Sequence, residues 1–453
     1  MSMQDIFAHI EQNRDHFIRR FIEYLRIPTI SAQNIGIRDG AVALSSVMTA
    51  VGLDAQIIET EFNPVVLGRL GNKKSAPTVL LYGHYDVQPP EPLDAWITPP
   101  FEPSIRNNRI YARGAGDNKG QHFAQLMAIE SLLAVRKELP CNVIFMIDGE
   151  EEIGSPGLSG FVAKNREQLK TANLVVTADG SMHHSGSPVI QFGVRGLASF
   201  ELRARGANRD LHSGNYGNVA PNPLWTLVHL LASMKNTEGE ILIEGFYDRI
   251  VPPTQKELDA AAKLPIDVAA VMNSLGLTRL DAPEDLAYFH RLMFRPTLTI
   301  NGIHGGYDGP GMKTVLPSEA MAKCDIRLLD AQDPEEVLKL VGAHVQRYAP
   351  DVEFIPKPMM KPSKTSMDNP FMKPIQDAIY EARGVRPLLY PCVGASLPDY
   401  VFTKGLGIPT FLVPYANHDQ ANHAPNENID IDYFIAGIRT GAAILTSLGA
   451  SAC

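Results

Sequence analysis

The stretch Thr78–Asp86, which reads TVLLYGHYD, decides the fold class. Its first five residues form a short apolar run between a proline and a glycine, a pattern typical of a buried strand. Asn142–Ile147 and Leu174–Ala178 are two further runs of this kind, and helix-forming residues at 121–137 separate the first run from the second. Buried strands that alternate with helices predict an α/β domain with a mainly parallel central sheet.

The chain after Gly196 has a different pattern. Ala198–Arg205 alternates as a half-exposed strand does, and Asp333 followed by proline is a typical helix start. Strand, helix, strand, strand, helix and strand are predicted at 198–205, 223–234, 296–301, 319–329, 334–348 and 352–356. Because this order is a ferredoxin-like signature, we predict an inserted α+β domain at 196–360, interrupted at about 236–295. The α/β domain is then discontinuous, at 1–195 and 361–453, with a helical first ~60 residues.

The composition argues against several classes of protein. The 453 residues carry 41 Lys+Arg and 50 Asp+Glu, a net charge of −9, whereas nucleic-acid-binding domains usually have a basic stripe. No run approaches the roughly 18 apolar residues of a membrane span, and the charged N-terminus lacks the apolar core of a secretory signal. Cys141, Cys324, Cys392 and Cys453 are far apart and form no CxxC motif, so we expect reduced thiols and a cytoplasmic protein.

Polar residues that can bind metal follow each predicted strand of the α/β domain. They are His84 and Asp86, Glu150 to Glu152, Asp179, and then His418, Asp419 and His423 after an apolar run at 409–414. Ligands of open α/β sheets bind beyond the carboxyl ends of the strands. One such residue alone is more often a turn residue, but here every strand end carries one, and Asp117 lies in a glycine-rich loop, GAGDNKG, before a helix. The pattern therefore predicts a metal site.

The strings HYDVQP, GAGDNKG, EEIGS, TADG and NHAPNENI, in this order, resemble the dinuclear metallopeptidases that include carnosinase, peptidase V, aminoacylase and carboxypeptidase G. In the inserted segment, RDLHSGNYG, GIHGGYDGPGMKTVLP and CDIRLL resemble the lid or dimerisation domain of the carnosinase branch. The resemblance covers nearly the whole chain. It implies a catalytic domain of the zinc-exopeptidase type, an inserted lid domain and a homodimer that forms through the lid.

Carried over residue by residue, the resemblance implies a site with two divalent ions per chain. His84 and Asp179 would bind one ion, Glu152 and His423 the other, and Asp117 would bridge both, with a cis peptide between Asp117 and Asn118. Asp86 would orient His84, and Glu151 would be the general base, which leaves Glu150 as a bystander. Two histidines and three carboxylates suit zinc, with manganese or cobalt as alternatives because the set is rich in oxygen.

The resemblance also implies roles outside the metal ligands. His212 would reach the site of the neighbouring subunit and stabilise the oxyanion, Arg327 would bind the substrate carboxylate, and Ser396 and His304 would contact substrate. The sequence around His183 and His184 predicts a solvent-exposed turn, and His418 and Asp419 are expected at most to support the metal ligands.

The function expected from these residues is hydrolysis of the amide bond of dipeptides or short peptides by a metal-activated water. Within the family, an aspartate at the place of Asp179 goes with dipeptidases and aminopeptidases. The alternative is an N-acyl-amino-acid amidohydrolase with the same site. A serine hydrolase is disfavoured because Pro398 replaces the last glycine of G-x-S-x-G around Ser396, and a dinucleotide site because the loop from Gly114 misses G-x-G-x-x-G by one residue.

Overall fold

The computed structural model describes residues 2–280 and 285–450. Before the inserted segment the helices are α1 (Met3–Gln12), α2 (Arg14–Leu25), α3 (Ile37–Val51), α4 (Lys119–Arg136), α5 (Leu158–Lys164) and α6 (Arg166–Leu169). The strands of this part are β1 (Asp54–Ile58), β2 (Val65–Leu70), β3 (Thr78–His84), β4 (Ser104–Arg106), β5 (Arg109–Tyr111), β6 (Asn142–Asp148), β7 (Leu174–Thr177), β8 (Val189–Gln191) and β9 (Gly193–Val194).

The inserted segment and the return to the first sheet follow. The insert contains β10 (Gly196–Arg205), β11 (Leu211–His212), α7 (Ser213–Tyr216), α8 (Pro223–Met234), α9 (Gln255–Ala262), α10 (Val268–Leu275), α11 (Asp285–Phe294), β12 (Thr297–Gly305), β13 (Val315–Leu316), β14 (Glu319–Leu328), α12 (Pro334–Tyr348) and β15 (Glu353–Met360). The return contains β16 (Ser363–Lys364), α13 (Met372–Arg383), β17 (Leu388–Tyr390), α14 (Tyr400–Thr403), β18 (Thr410–Leu412), β19 (Asn428–Asp430) and α15 (Ile431–Ala450).

The central sheet has the strand order β1-β2-β6-β3-β7-β18-β8-β17. β3 pairs in parallel with β6 and β7, β7 pairs in parallel with β18, and β8 with β17. Antiparallel pairs join β2 to β1 and β6, and β18 to β8. The predicted α/β class with a mainly parallel central sheet is therefore confirmed.

Both faces of this sheet are covered, which explains why its strands read as continuous apolar runs. Along β3, Val79 and Leu81 pack into the core on one face, whereas Leu80 and Tyr82 pack into a second core on the other face. α15 is long and apolar enough to cross a membrane by length and composition, but it is mostly buried in the first of these cores. Its apolar character is thus explained by packing inside the protein.

The insert contains the predicted ferredoxin-like unit. Its sheet has the order β12-β14-β10-β15 with every pair antiparallel, and α8 and α12 cover one face. The interruption at 236–295 forms α9, α10 and α11, and Phe289 and Met293 of α11 pack against Leu388 and Tyr390 of β17. The insert therefore also contacts the edge of the central sheet.

Two expectations about the chain need correction. The first ~60 residues are not all helical, because Asp54–Ile58 forms the edge strand β1. The strands expected at 296–301 and 352–356 are longer than predicted: the first extends from Thr297 to Gly305, with a bulge between Ile300 and Gly302, and the second from Glu353 to Met360. Cys141, Cys324 and Cys392 are free thiols, and Cys453 lies outside the described residues.

Candidate metal centre

The carboxyl ends of β3, β6, β7 and β18 lie at one edge of the central sheet. β3 ends at His84, which is aligned with Asp148 at the end of β6, and the short helical turn Glu151–Ile153 follows. β7 ends just before Asp179, and a loop after β18 carries His423. Parallel pairing brings these residues together, because neighbouring parallel strands end at the same edge.

Asp117 lies between two histidines. One carboxylate oxygen, Oδ1, is 3.2 Å from Nε2 of His84, and the other, Oδ2, is 3.2 Å from Nε2 of His423. Asp117 precedes Asn118, the N-cap of α4, and the Asp117–Asn118 peptide is cis, as the resemblance implies. Each oxygen of one carboxylate therefore faces a different histidine, an arrangement suited to a carboxylate shared between two cations.

Two further carboxylates complete the two halves of this cluster. Asp179 Oδ2 is 3.6 Å from Nε2 of His84, and Glu152 Oε2 is 3.2 Å from Nε2 of His423. His84 is fully buried, whereas the side chain of His423 is 53% exposed. The cluster is therefore closed on the His84 side and open to solvent on the His423 side, where a substrate can approach.

Asp86 connects the end of β3 with the loop of the glutamates. Its carboxylate accepts hydrogen bonds from the backbone N–H groups of Glu151 (3.1 Å) and Glu152 (3.0 Å), and Oδ1 is 3.3 Å from Nδ1 of His84. Nδ1 of His84 also lies 3.0 Å from the backbone oxygen of Asp86. Since these contacts engage Nδ1, Nε2 of His84 is left to face Asp117 and Asp179.

Burial and the contacts between carboxylates and histidines shift the pKa values of this cluster. Burial raises the pKa of Glu152 to about 7, and the neighbouring Asp117 adds to this shift. Burial likewise raises the pKa of Glu151 well above its usual value. Hydrogen bonds to Asp117 and Glu152 raise the pKa of His423 to about 10. Burial opposes the charged form of His84, but hydrogen bonds to Asp117, Asp179 and Asp86 outweigh it and raise the pKa.

The residues present fit divalent cations. One ligand atom each from His84, Asp117 and Glu152 lies within 4.8 Å of the others, so ligands from both halves of the cluster converge within metal-binding reach of Asp117. Oε1 of Glu152 is buried without a hydrogen-bond partner among the described residues. A buried carboxylate oxygen without a partner is costly, and a cation would satisfy it. Imidazole and carboxylate donors together suit zinc and its first-row neighbours.

Comparison with known proteins agrees with this geometry. Residues 80–447 match the model of Peptidase family M20/M25/M40. The chain belongs to this family. It is 30% identical to the Cys-Gly metallodipeptidase DUG1 of Candida albicans, over 97% of this chain and 96% of that protein. It is 29% identical to the Beta-Ala-His dipeptidase of Homo sapiens, over 98% of this chain and 92% of that protein.

A solved structure supports the same assignment. The M20 family metallo-carboxypeptidase of Sulfolobus solfataricus superimposes with a TM-score of 0.90 at 34% identity, covering 96% of this chain and 99% of that one. The predicted resemblance to dinuclear metallopeptidases is thus confirmed at the level of the family, and the protein is a metallopeptidase. The particular residues assigned to each role stay predictions, which the geometry supports to different degrees.

Among the substrate residues predicted for this M20 peptidase, Arg327 and Ser396 are in contact. Nη1 of Arg327 on β14 donates a hydrogen bond of 2.7 Å to Oγ of Ser396, which lies in the loop after β17. The guanidinium also lies 3.8 Å from the carboxylate of Asp325. The pair joins the insert to the first domain and retains donors for an anionic group.

Within the described part of one chain, neither His212 nor His304 is bonded to the predicted metal ligands. Both are exposed, and over residues 2–280 and 285–450 no hydrogen bond or ion pair joins either of them to the five predicted ligands. His304 is seven residues along β12 from Thr297, the partner of Arg327, which corresponds to roughly 23 Å of extended strand. In a single chain His304 therefore cannot share a small-molecule site with Arg327.

The remaining predicted residues have other partners. Glu150 is buried and accepts hydrogen bonds from the backbone N–H groups of Asn63 and Gly157, so its carboxylate is directed to a neighbouring loop. Asp419 forms an ion pair with Arg109 at 2.8 Å, and His418 is exposed.

The expectation that both His183 and His184 are exposed is wrong for His183. Only 6% of His183 is exposed, because it packs below the insert, where its Nε2 lies 3.2 Å from the oxygen of Pro265. His184 is exposed, as expected.

Gln121 and Asn118 are two residues of the site to whose side chains the sequence assigns no role. The buried amide of Gln121 donates to the backbone oxygens of Gly116 and Gly180, and its oxygen accepts from the N–H of Tyr415. Asn118 donates to the oxygen of Ala178, and its own oxygen accepts from the N–H of His84. Together they tie the loops of Asp117 and Asp179 to the ends of β3 and β18. The one available signal was their position beside Asp117 at the start of a helix.

Proposed function

We propose that this protein is a dinuclear metallodipeptidase that hydrolyses the amide bond of dipeptides or short peptides. The observation that carries the proposal is the placement of the two oxygens of Asp117, each 3.2 Å from a different histidine. Full-length similarity to two dipeptidases supports the choice of substrate class. His84 and Asp179 would hold one ion, and His423 and Glu152 the other.

The chemistry of the chain follows from these positions. Two divalent ions, most suitably zinc, would supply Lewis-acid polarisation of the scissile carbonyl and lower the pKa of a water. Glu151 takes the proton of the attacking water and then transfers it to the leaving nitrogen, so that the C–N bond breaks to give an amine and a carboxylate. Burial raises the pKa of Glu151 above its usual value, which makes its carboxylate a stronger base for the proton of the water.

Arg327 and Ser396 are proposed to bind the carboxylate at the far end of the substrate. A guanidinium binds a carboxylate through two parallel hydrogen bonds, and the contact of Nη1 with Ser396 fixes its orientation. A site of this kind favours substrates with a free carboxyl terminus, as dipeptides have.

His212 is proposed to act in the site of a partner subunit, in a homodimer formed through the insert. Its Nδ1 accepts a hydrogen bond of 3.0 Å from the N–H of Gly214, so in the neutral ring Nε2 carries the proton and can donate to an oxyanion. The edge strand β12 supports the dimer, because Ile300 and Ile303 on it are exposed, and an exposed apolar edge is a surface for strand pairing. We propose that His304, on the same strand, also contacts the partner's substrate.

The alternative is an N-acyl-amino-acid amidohydrolase, because an N-acyl amino acid offers the same carboxylate and the same amide bond. Because the Sulfolobus solfataricus relative is named a metallo-carboxypeptidase, longer peptides are also candidate substrates. We also propose two domains, a discontinuous one at 1–195 and 361–453 and an inserted one at 196–360. We expect the protein to be in a reducing, cytoplasmic location.

A substrate panel distinguishes these activities. Protein reconstituted with zinc, manganese or cobalt would be assayed on dipeptides, tripeptides and N-acyl amino acids, with the Glu151→Gln protein as the blank. The proposal expects release of free amino acids from dipeptides with a kcat/KM well above that for the other two classes. Hydrolysis confined to N-acyl amino acids would overturn the dipeptidase proposal in favour of the alternative.

A further inference from the structure

Glu427 is a fully buried carboxylate that no step of the proposed mechanism uses. Its Oε1 accepts hydrogen bonds from the backbone N–H groups of Gly116 and Asp117, both at 2.9 Å. Its Oε2 accepts from the N–H of Gly114 at 3.0 Å and from Nη1 of Arg113 at 2.8 Å. A carboxylate offers about four lone-pair positions, so all of them are occupied.

All four donors belong to one short segment, residues 113–117, which ends at the bridging carboxylate. Glu427 itself lies four residues after His423, in the loop that carries this histidine. Its backbone oxygen also accepts a hydrogen bond of 3.1 Å from the N–H of Ala112. Glu427 therefore fastens the loop of one predicted ligand to the loop of another, although the two are far apart in sequence.

If Glu427 only stabilised the fold through an ion pair, its contact with Arg113 would be enough, and the three backbone N–H contacts would not be needed. Arg113 alone would neutralise Glu427, and buried ion pairs are weak contributors to stability because desolvation offsets their attraction. The three backbone contacts instead set the direction of the peptide units that lead into Asp117. A small rotation there would move one oxygen of Asp117 away from His84 or the other away from His423.

We propose that Glu427 is a positioning residue of the dinuclear centre, which holds the bridging carboxylate of Asp117 in place for both ions. This proposal rests on the dinuclear site proposed above. Glutamine at this position would have nearly the same shape, but one of its ends would be an NH2 group facing two N–H donors. Hence we expect the loop to shift even though the volume is unchanged.

The test is the affinity of the Glu427→Gln protein for metal, measured by titration of the metal-free protein with Zn²⁺ against a chromophoric chelator. Replacing such a partner of a metal ligand typically lowers affinity by about 10–100-fold, and both ions should be affected because Asp117 is shared. With Co²⁺ in the site, the visible absorption bands should also change in position or intensity, which a loss of global stability alone would not produce.

Glu257→Gln is the matched control. Glu257 is also a buried glutamate with one cationic partner, Lys364, and it accepts a hydrogen bond of 2.7 Å from the N–H of Thr254. It contacts none of the predicted ligands. The control should bind Zn²⁺ and Co²⁺ as the unmodified protein does, even if its melting temperature falls.

Unchanged affinity and an unchanged Co²⁺ spectrum in folded Glu427→Gln would overturn the proposal. If the Glu427→Gln protein does not fold, the same measurements on Glu427→Asp test the proposal. Aspartate keeps the charge beside Arg113, but its side chain is one methylene too short to reach all four donors. Glu427→Asp should then show the weaker binding and the altered spectrum, and native values would overturn the proposal. If the unmodified protein binds no divalent ions, the proposed function itself fails, and the two failures are thereby distinguished.

Discussion

Mixed dimers of two inactive proteins, His212→Ala and Glu151→Gln, are expected to regain activity. The first protein lacks the donor that would enter the neighbouring site, and the second lacks the base of its own site. In a mixed dimer one site keeps both its own Glu151 and the partner's His212, while the other site keeps neither. Activity therefore returns only if His212 acts across the interface.

The size of the effect follows from the geometry. Because Nδ1 of His212 accepts from Gly214, the ring presents a single donor, Nε2–H, and the loss of one oxyanion donor typically lowers turnover by about 10²–10³-fold. Loss of a general base costs about 10²–10⁴-fold. Random pairing in a two-fold dimer makes about half of the dimers mixed, each with one working site, so about a quarter of the native activity should return.

The assay is the rate of dipeptide hydrolysis per mole of protein after co-expression, which should be about a quarter of the native rate. Mixed dimers purified through two different affinity tags should reach about half of the native rate, because one of their two sites works. The control is co-expression of His212→Ala with the double substitution His212→Ala and Glu151→Gln, which leaves no complete site in any dimer. Verified mixed dimers that are as inactive as their parents would refute the reasoning, as would a protein that is monomeric at the assay concentration.

Three further outcomes are expected. Glu151→Gln should bind both ions but lose about 10²–10⁴-fold in kcat. Glu150→Gln should keep its turnover, because the carboxylate of Glu150 is bonded to the N–H groups of Asn63 and Gly157. The reverse result would shift the assignment of the base by one residue. Arg327→Lys should raise KM for dipeptides much more than it changes kcat, because lysine cannot form the two parallel hydrogen bonds; an unchanged KM in steady-state assays contradicts the carboxylate role. Burial raises the pKa of Asp399 to about 7, above its value in the unfolded chain, so its contribution to stability falls as pH rises from about 4 to 7. The free energy of unfolding of Asp399→Asn, relative to that of the unmodified protein, should therefore rise by about 1–3 kcal/mol between pH 5 and pH 8. Parallel pH profiles of the melting temperature for the two proteins would show that Asp399 does not titrate in this way.

Much of the architecture could be predicted because the buried strands are marked by apolar runs with sharp ends. The run at 142–147 became β6, Asn142–Asp148, and the helix start at Asp333 gave α12 with the aspartate side chain capping the N–H of Glu335. β1 was missed because it lies at the edge of the sheet and its residues are only partly buried. An edge strand needs no continuous apolar run, so its sequence resembles that of the helices before it.

A metal site could be predicted from polar residues after strands, and the set of ligands from the resemblance to the family, but the residues that hold these ligands could not be predicted. Glu427 contacts Gly116 from 311 positions away, and Gln121 contacts Tyr415 from 294 positions away. Such pairs arise only when the return segment packs beside the first part of the chain. The burial of His183 was missed for the same reason, since the group that covers it, Pro265, belongs to the insert.

The most direct test of the central claim, a dinuclear site bridged by Asp117, is the number of metal ions per chain in three proteins. Elemental analysis after reconstitution and removal of excess metal should find about two divalent ions in the unmodified chain, consistent with a bridged two-metal site. His423→Ala should keep the ion bound by His84 and Asp179, whereas Asp117→Ala should lose both, because Asp117 is the ligand they share. Full metal content in Asp117→Ala, or equal losses in the two variants, would contradict the account.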